Sequence, residues 1–185
     1  MLLILTNSID GTTDEIVRRI GTDRVFRFNI DLWREYSIEI DACGFRLADP
    51  TGRAVESTGV KACYVRKPSF DEPLTIPAGG CPEAWVRAQM HYVCQEIYTL
   101  CREAGTVRLV EKGAERRFGK FAQLRLAARF FPVPDWRFVK RFSSPIFSQP
   151  TVAKTLVADF VEHYRMFYTT PVQSGGLDPA YPWFL

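Results

Sequence analysis

Across residues 82–104, apolar side chains recur at three-and-four spacing: Trp85, Ala88, Tyr92, Val93, Ile97, Leu100, Cys101 and Ala104. That period requires an amphipathic helix of about six turns. Pro82 opens it where a missing N–H costs nothing, and Gly105 stops it. Short apolar runs flank it: Leu2–Thr6, 24–29 and 60–65 before, Val107–Val110 after. They are too short for helices and read as strands. A long helix set among short buried strands restricts the chain to the α/β class, an open sheet of the doubly-wound kind. Residues 7–11 form a turn, with Thr12 or Thr13 expected to cap a short helix running to Ile20. Ser37–Asp41 and Phe45–Ala48, split by Cys43-Gly44, suggest a hairpin inserted on one edge of that sheet. The Asp49-Pro-Thr-Gly52 turn leads to a further short extended piece. Trp85, Tyr92 and Ile97 are expected to bury against the sheet.

The 185 residues suffice for one compact domain or somewhat more, with ordinary apolar content and no signature of disorder. The apolar run at the N-terminus is far short of the roughly 20 residues a membrane span needs. It lacks a basic flank and a cleavage site, so it reads as a strand and not a signal peptide. Five cysteines (Cys43, Cys63, Cys81, Cys94, Cys101) include no Cys-x-x-Cys pair. This argues for reduced thiols in a cytoplasmic protein, with Cys63, Cys94 and Cys101 in the core. His91 lies on the long helix beside Met90 and Tyr92 and reads as structural. His163 has no Cys or Asp at ligand spacing, so neither histidine marks a metal site.

After Gly113 the character changes. Phe118, Phe121, Leu124, Ala128 and Phe131 fall on one face of a helix that Pro132 and Pro134 terminate. Arg117, Lys120, Arg125 and Arg129 lie mainly off that face. Segments 136–141 and 151–156 alternate as strands joined by a Ser/Pro-rich loop, and 163–170 reads as a third. Residues 108–141 hold ten Lys/Arg against three Asp/Glu, a local balance of +7 in a chain whose net charge is +3. Concentrated charge favours an anionic ligand, although a solvated helix face with dispersed arginines explains it equally well. Lys120 on the helix and Lys154 in an apolar strand are placed to hold a polyphosphate from two sides. A lysine inside an apolar strand is costly without a partner, which adds weight to Lys154. Open α/β sheets bind ligands beyond their strands' carboxyl ends, so the loop after Leu5 and the Arg66-Lys67-Pro68 turn are candidates to face a site. Whether Arg66 and Lys67 serve a site or are solvated charges stays open. Neither Gly-x-G-x-x-Gly nor a P-loop occurs. Nucleic-acid binding is disfavoured because no aromatic-interleaved basic stripe is present.

Taken in order, Leu-Leu-Ile-Leu-Thr-Asn-Ser, Phe-Arg-Phe-Asn-Ile-Asp, Tyr-Val-Arg-Lys-Pro, Gly-Lys-Phe-Ala-Gln-Leu-Arg-Leu-Ala-Ala-Arg-Phe-Phe-Pro-Val-Pro, Thr-Val-Ala-Lys-Thr and Tyr-Thr-Thr-Pro-Val span essentially the whole chain. Together they resemble the ATP-grasp peptide maturases of the microviridin (graspetide) type, related to the ribosomal-protein glutamate ligases. The resemblance implies a pre-ATP-grasp α/β domain over 1–112. Residues 113–185 would then be the N-terminal part of the ATP-grasp domain, a partial α+β lid subdomain. It places the family's two nucleotide-phosphate lysines at Lys120 and Lys154, and implies ATP and magnesium as cofactors and a precursor peptide as partner. A homo-oligomer is left open.

The chain departs from the family at Glu111-Lys112-Gly113, where an Asn-x-Pro turn is usual, and at residues 155–160, where a glycine-bearing loop is usual. It ends at Pro182-Trp-Phe-Leu185, before the adenine-contacting hinge and the magnesium ligands that the resemblance would place further on. The expectation is the N-terminal portion of a ligase that activates a peptide carboxylate as an acyl phosphate for lactone or lactam closure. On its own it is expected to be inactive and to bind ATP weakly. The alternative is a shortened, non-catalytic paralogue serving as a peptide- or partner-binding module.

Overall fold

A computed structural model of the chain describes residues 1–68, 82–105, 107–110, 120–133 and 135–140, and the strand residues 152–153, 170–171 and 183–184. Strands β1 (Leu2–Thr6), β2 (Val25–Asn29), β6 (Ala62–Val65) and β7 (Val107–Val110) form one parallel sheet in the order β2-β1-β6-β7. Helix α1 (Gly11–Ile20) connects β1 to β2, and α2 (Pro82–Glu103) lies between β6 and β7 in the chain. The parallel register sets Leu5 beside both Phe28 and Val65. Side chains alternate across a strand. Leu3, Leu5, Phe26, Phe28, Cys63 and Val65 therefore share a face, and they join Met90, Val93, Ile97, Leu100 and Cys101 of α2 in one core. Ile4 points the other way and is also fully buried, as a parallel sheet covered on both faces requires. Of the three residues expected to bury the long helix, Ile97 is fully buried and Tyr92 packs at the core's margin. The side chain of Trp85 lies outside the described residues.

The hairpin forms, with Ile40 paired to Phe45, but not on the edge of the parallel sheet. Strands β3 (Ser37–Asp41), β4 (Phe45–Ala48) and β5 (Ala54–Glu56) join β8 (Arg137–Lys140) and β11 (Trp183–Phe184) in a second, antiparallel sheet of order β11-β8-β3-β4-β5. The outer edge of β2 is closed by side chains. Arg53 Nη2 donates to the Val25 carbonyl at 2.8 Å, and the Tyr36 hydroxyl donates to the Arg27 carbonyl at 3.1 Å while accepting from the Asn29 N–H at 3.4 Å. An edge whose polar groups already have partners is a poor template for another strand. The hairpin's own alternation suits a sheet with one buried face. Ile38, Ile40, Leu47, Val55 and Phe138 point into the shared core while Arg46 and Glu56 point out. Because β8 pairs with β3, one sheet contains strands from both 1–112 and 113–185. Strands β9 (Val152–Ala153) and β10 (Thr170–Pro171) pair antiparallel as a separate ribbon, so β8 and β9, the described parts of the expected strands 136–141 and 151–156, lie in different sheets.

Two helix details also differ from expectation. The cap of α1 is Asp10, not Thr12 or Thr13: its carboxylate accepts from the Thr12 N–H at 3.2 Å, a stronger acceptor than a hydroxyl. Helix α3 (Lys120–Ala127) ends well before Pro132. Phe121 is buried against Trp136 and Phe138, but Phe131 lies past the helix end and is exposed.

Candidate functional site

The chain leaves β1 toward β2 and leaves β6 toward β7, in opposite directions along the sheet. Beyond the carboxyl ends of β1 and β6 the two connections diverge, the position at which sheets of this kind take their ligands. The residues there are Thr6, Asn7 and Ser8 after β1, and Arg66 and Lys67 after β6. Three charged side chains hold the first loop rigid. Asp10 accepts from the hydroxyls of Thr6 at 2.9 Å and Thr13 at 2.7 Å, and faces Arg66 Nε at 3.3 Å. Asp31, just past β2, accepts from the Ser8 N–H at 2.9 Å and from the Ser8 hydroxyl. Arg27, reaching across from β2, donates through Nη2 to the carbonyls of Asn7 at 2.7 Å and Ser8 at 3.1 Å, and pairs with Asp14.

Arg66 also donates to the Thr12 hydroxyl at 3.1 Å, with its side chain only 17% exposed. It is therefore a tie between β6 and the cap of α1, and not a solvated charge. Lys67 adopts φ +45°, a region non-glycine residues enter at a cost of order 1–3 kcal/mol, and its carbonyl accepts from Asn7 Nδ2 at 3.4 Å. The Asn7 contact ties this strained turn after β6 to the loop after β1.

Burial acts to raise the Asp10 pKa, but the hydrogen bonds from Thr13 and Thr6, the Arg66 charge and the Thr12 N–H outweigh it. The carboxyl is held below its ordinary 3.8. A depressed folded-state pKa stabilises the fold above pH 3.8, and that contribution is lost as the pH falls through the lower folded value. Replacing Asp10 by Ala is expected to cost about 1–3 kcal/mol at pH 7, through loss of the cap and of a charged acceptor for four donors. The difference from wild type should shrink below pH 3.8. Urea unfolding at pH 7 and at pH 2.5 checks this, and a pH-independent difference would remove Asp10 from the role of charged hub.

The lysines expected to hold phosphate stand differently. Lys120 is the first residue of α3. Its side chain, and Lys154 altogether, lie outside the described residues, as do Phe118, Arg117 and His163. Among the described residues, two arginines of the basic segment have carboxylate partners from outside it. Arg137 meets Glu39 at 3.2 Å and Asp41 at 4.0 Å. Arg125, expected off the apolar face, is buried between α3 and α2, with Nη1 at 2.5 Å from Glu96 and Nη2 at 3.5 Å from Glu103. Carboxylates distant in sequence neutralise these two arginines, which composition within a window does not reveal.

Sequence reading missed Asp10, Arg27, Asp31 and the Glu96–Arg125 pair. A signal existed for the last. Gln89, Glu96 and Glu103 are seven apart, a polar line beside the apolar stripe of α2, and Gln89 and Glu96 are buried. Nothing in the spacing of the other three distinguishes them from surface charges. Among the described residues no group of three His, Cys, Asp or Glu is placed to hold a metal ion, and no helix is long and apolar enough to cross a membrane.

These features define a mixed α/β protein with a parallel sheet, a second antiparallel sheet, and braced polar loops at the parallel sheet's carboxyl edge. No family model matches the chain, and no curated protein matches it. Among solved structures it is similar to the macrocyclase MdnC bound with precursor peptide MdnA from Microcystis aeruginosa MRC, with a TM-score of 0.42 and 18% identity over 99% of this chain. The chain spans 66% of that chain's length, just under two thirds.

Proposed function

We propose that the chain supplies the pre-ATP-grasp part and the beginning of the nucleotide-binding part of an ATP-dependent ligase that modifies a ribosomally made peptide. The observation that carries this reading is the placement of Lys120. The Gly-Lys-Phe-Ala-Gln-Leu motif, which resembles the phosphate-lysine motif of ATP-grasp peptide maturases, puts its lysine at the first position of α3. A lysine in that motif, within a segment of concentrated positive charge, is suited to polyphosphate. Lys154, directly after β9, is the second lysine of the proposal.

The reaction class is transfer of the terminal phosphoryl group of ATP to a peptide carboxylate, giving an acyl phosphate and ADP. Attack by a hydroxyl or amine of the peptide then forms an ester or amide and releases phosphate. Fixed positive charge stabilises the transferring group, so positioning matters more than covalent chemistry by the protein. The braced loops that meet at Asn7 and Lys67 are the proposed place where the peptide approaches. Magnesium would accompany the nucleotide, and among the described residues no group of three His, Cys, Asp or Glu is placed to hold it.

Phosphorus NMR of ATP titrated with the 185-residue chain tests the reading, because it detects millimolar association. The expected result is a shift of the β and γ resonances that Lys120→Ala and Lys154→Ala each reduce, whereas Arg18→Ala leaves it unchanged. Absence of any shift, or a shift indifferent to both lysines, would sink the nucleotide reading.

A further inference from the structure

The Glu96–Arg125–Glu103 cluster has no part in the peptide or nucleotide chemistry proposed above, yet it joins the two helices that matter to it. Helix α2 is bound to the parallel sheet through Met90, Val93 and Ile97. Helix α3 begins at Lys120 and is held to the core by Phe121 on one side and by Arg125 on the other. The side chains of Arg125 and Glu96 are 14% and 4% exposed, so the ion pair is formed out of water; Glu103 is 44% exposed. One guanidinium faces two carboxylates, only one of them buried, so full ionisation leaves the cluster with a net negative charge.

We propose that Glu96, Arg125 and Glu103 form a proton-operated latch between α2 and α3, closed most tightly when Glu96 carries a proton. With Glu96 neutral, the buried cluster consists of one cation and one partly exposed anion, and its charges balance. With Glu96 ionised, the attraction to Arg125 grows, but a second anion must stay buried. Burial dominates, followed by the opposing pull of Arg125 and the repulsion of Glu103, and the Glu96 carboxyl is pushed up to about 7 from its ordinary 4.5. Among the described residues, the charges acting on Glu96 are Arg125 from α3 and Glu103 from its own helix. The other described neighbours of α2, residues Ile30 and Trp33 and the strand residues Cys63 and Val65, bring apolar side chains to the same core.

The direction of the effect follows from linkage. Docking of α3 buries Glu96, so the docked state binds more protons than the undocked state between pH 4.5 and about 7. Docking is therefore tightest at acid pH and weakens as the pH rises through 7. For a carboxyl moved from 4.5 to about 7, the docking constant falls about tenfold between pH 6 and pH 8. If the nucleotide reading holds, the same equilibrium sets how firmly Lys120 is presented, and ATP affinity falls in parallel. That consequence rests on the proposed function, whereas the latch itself does not.

Amide hydrogen exchange of the full chain without nucleotide tests the latch separately. The informative amides are those of Leu124 to Ala127, with Ala128, whose N–H donates to the Leu124 carbonyl at 2.9 Å. After correction for the intrinsic pH dependence of exchange, their protection is expected to fall about tenfold from pH 6 to pH 8 in the wild type and to stay flat in Glu96→Gln. Protection of Leu3 to Leu5 should not change with pH in either protein. A pH-independent α3 in the wild type, or an equal fall in Glu96→Gln, overturns the proposal. Should that variant fail to fold, carboxyl carbon NMR of the wild type decides: a glutamate titrating near 7 supports the latch, and all glutamates titrating near 4.5 overturn it. Failure of ATP to bind would leave this result intact and refute only the nucleotide reading.

Discussion

Truncating Phe28 to alanine is expected to destabilise the chain by about 3–5 kcal/mol, a large share of the 5–15 kcal/mol that holds a typical domain folded. Phe28 has no exposed surface and stands beside Leu5 in the parallel register. Its ring meets that of Tyr36 edge to face, with centroids 4.9 Å apart and planes at 77°. Removing it opens a cavity between the sheet and the 3-10 turn Ile30–Glu35, and it frees the Tyr36 ring. The Tyr36 hydroxyl then no longer closes the β2 edge at Arg27 and Asn29. Two losses are therefore combined: packing in the core and protection of an edge. Urea unfolding measures the first, and the concentration dependence of association measures the second. A cost below about 1 kcal/mol would show that the core relaxes around the gap and that Phe28 is not central to it. Phe28→Leu, which keeps most of the volume, should cost under about 1.5 kcal/mol.

Arg125→Ala is expected to be nearly as damaging, about 3–5 kcal/mol at pH 8, because it strands Glu96 as an unpaired buried carboxylate. The cost should depend on pH. Without the guanidinium Glu96 is more easily protonated, and at pH 5.5 it can remain buried as a neutral acid, so the variant recovers part of its stability there. Pairing the change with Glu96→Gln should recover part of it at every pH, since no uncompensated charge then remains. Thermal unfolding of both variants at pH 5.5 and pH 8 measures this. An equal loss at both pH values would mean that Arg125 acts through its aliphatic stem and not through its charge.

The features legible in the sequence were those set by local periodicity. The three-and-four pattern of α2 placed Val93, Ile97 and Cys101 on a buried face, and the short runs Leu2–Thr6 and Ala62–Val65 were recognisable as strands because nothing but a covered sheet suits them. The α/β class alone made the loop after Leu5 and the turn at Arg66 neighbours beyond one sheet edge, and the Arg66–Asp10 and Asn7–Lys67 contacts join them there. The Lys120 side chain and Lys154 lie outside the described residues, so their part in a nucleotide site remains a proposal.

Partners distant in sequence decided the rest. Strand alternation says that Ser37–Asp41 and Phe45–Ala48 pair, but not which sheet they join. That depended on Arg53 and Tyr36 closing the β2 edge and on β8, about a hundred residues later in the chain, offering a free one. A window of charge likewise counts Arg125 and Arg137 as exposed cations. Only the tertiary structure brings Glu96, Glu103, Glu39 and Asp41 to them. The physical reason is the same in both cases. Hydrophobic periodicity acts within a few residues, so the chain displays it locally. Edge pairing and charge neutralisation act between surfaces that meet only after the core has formed, and no local pattern records which surfaces those are.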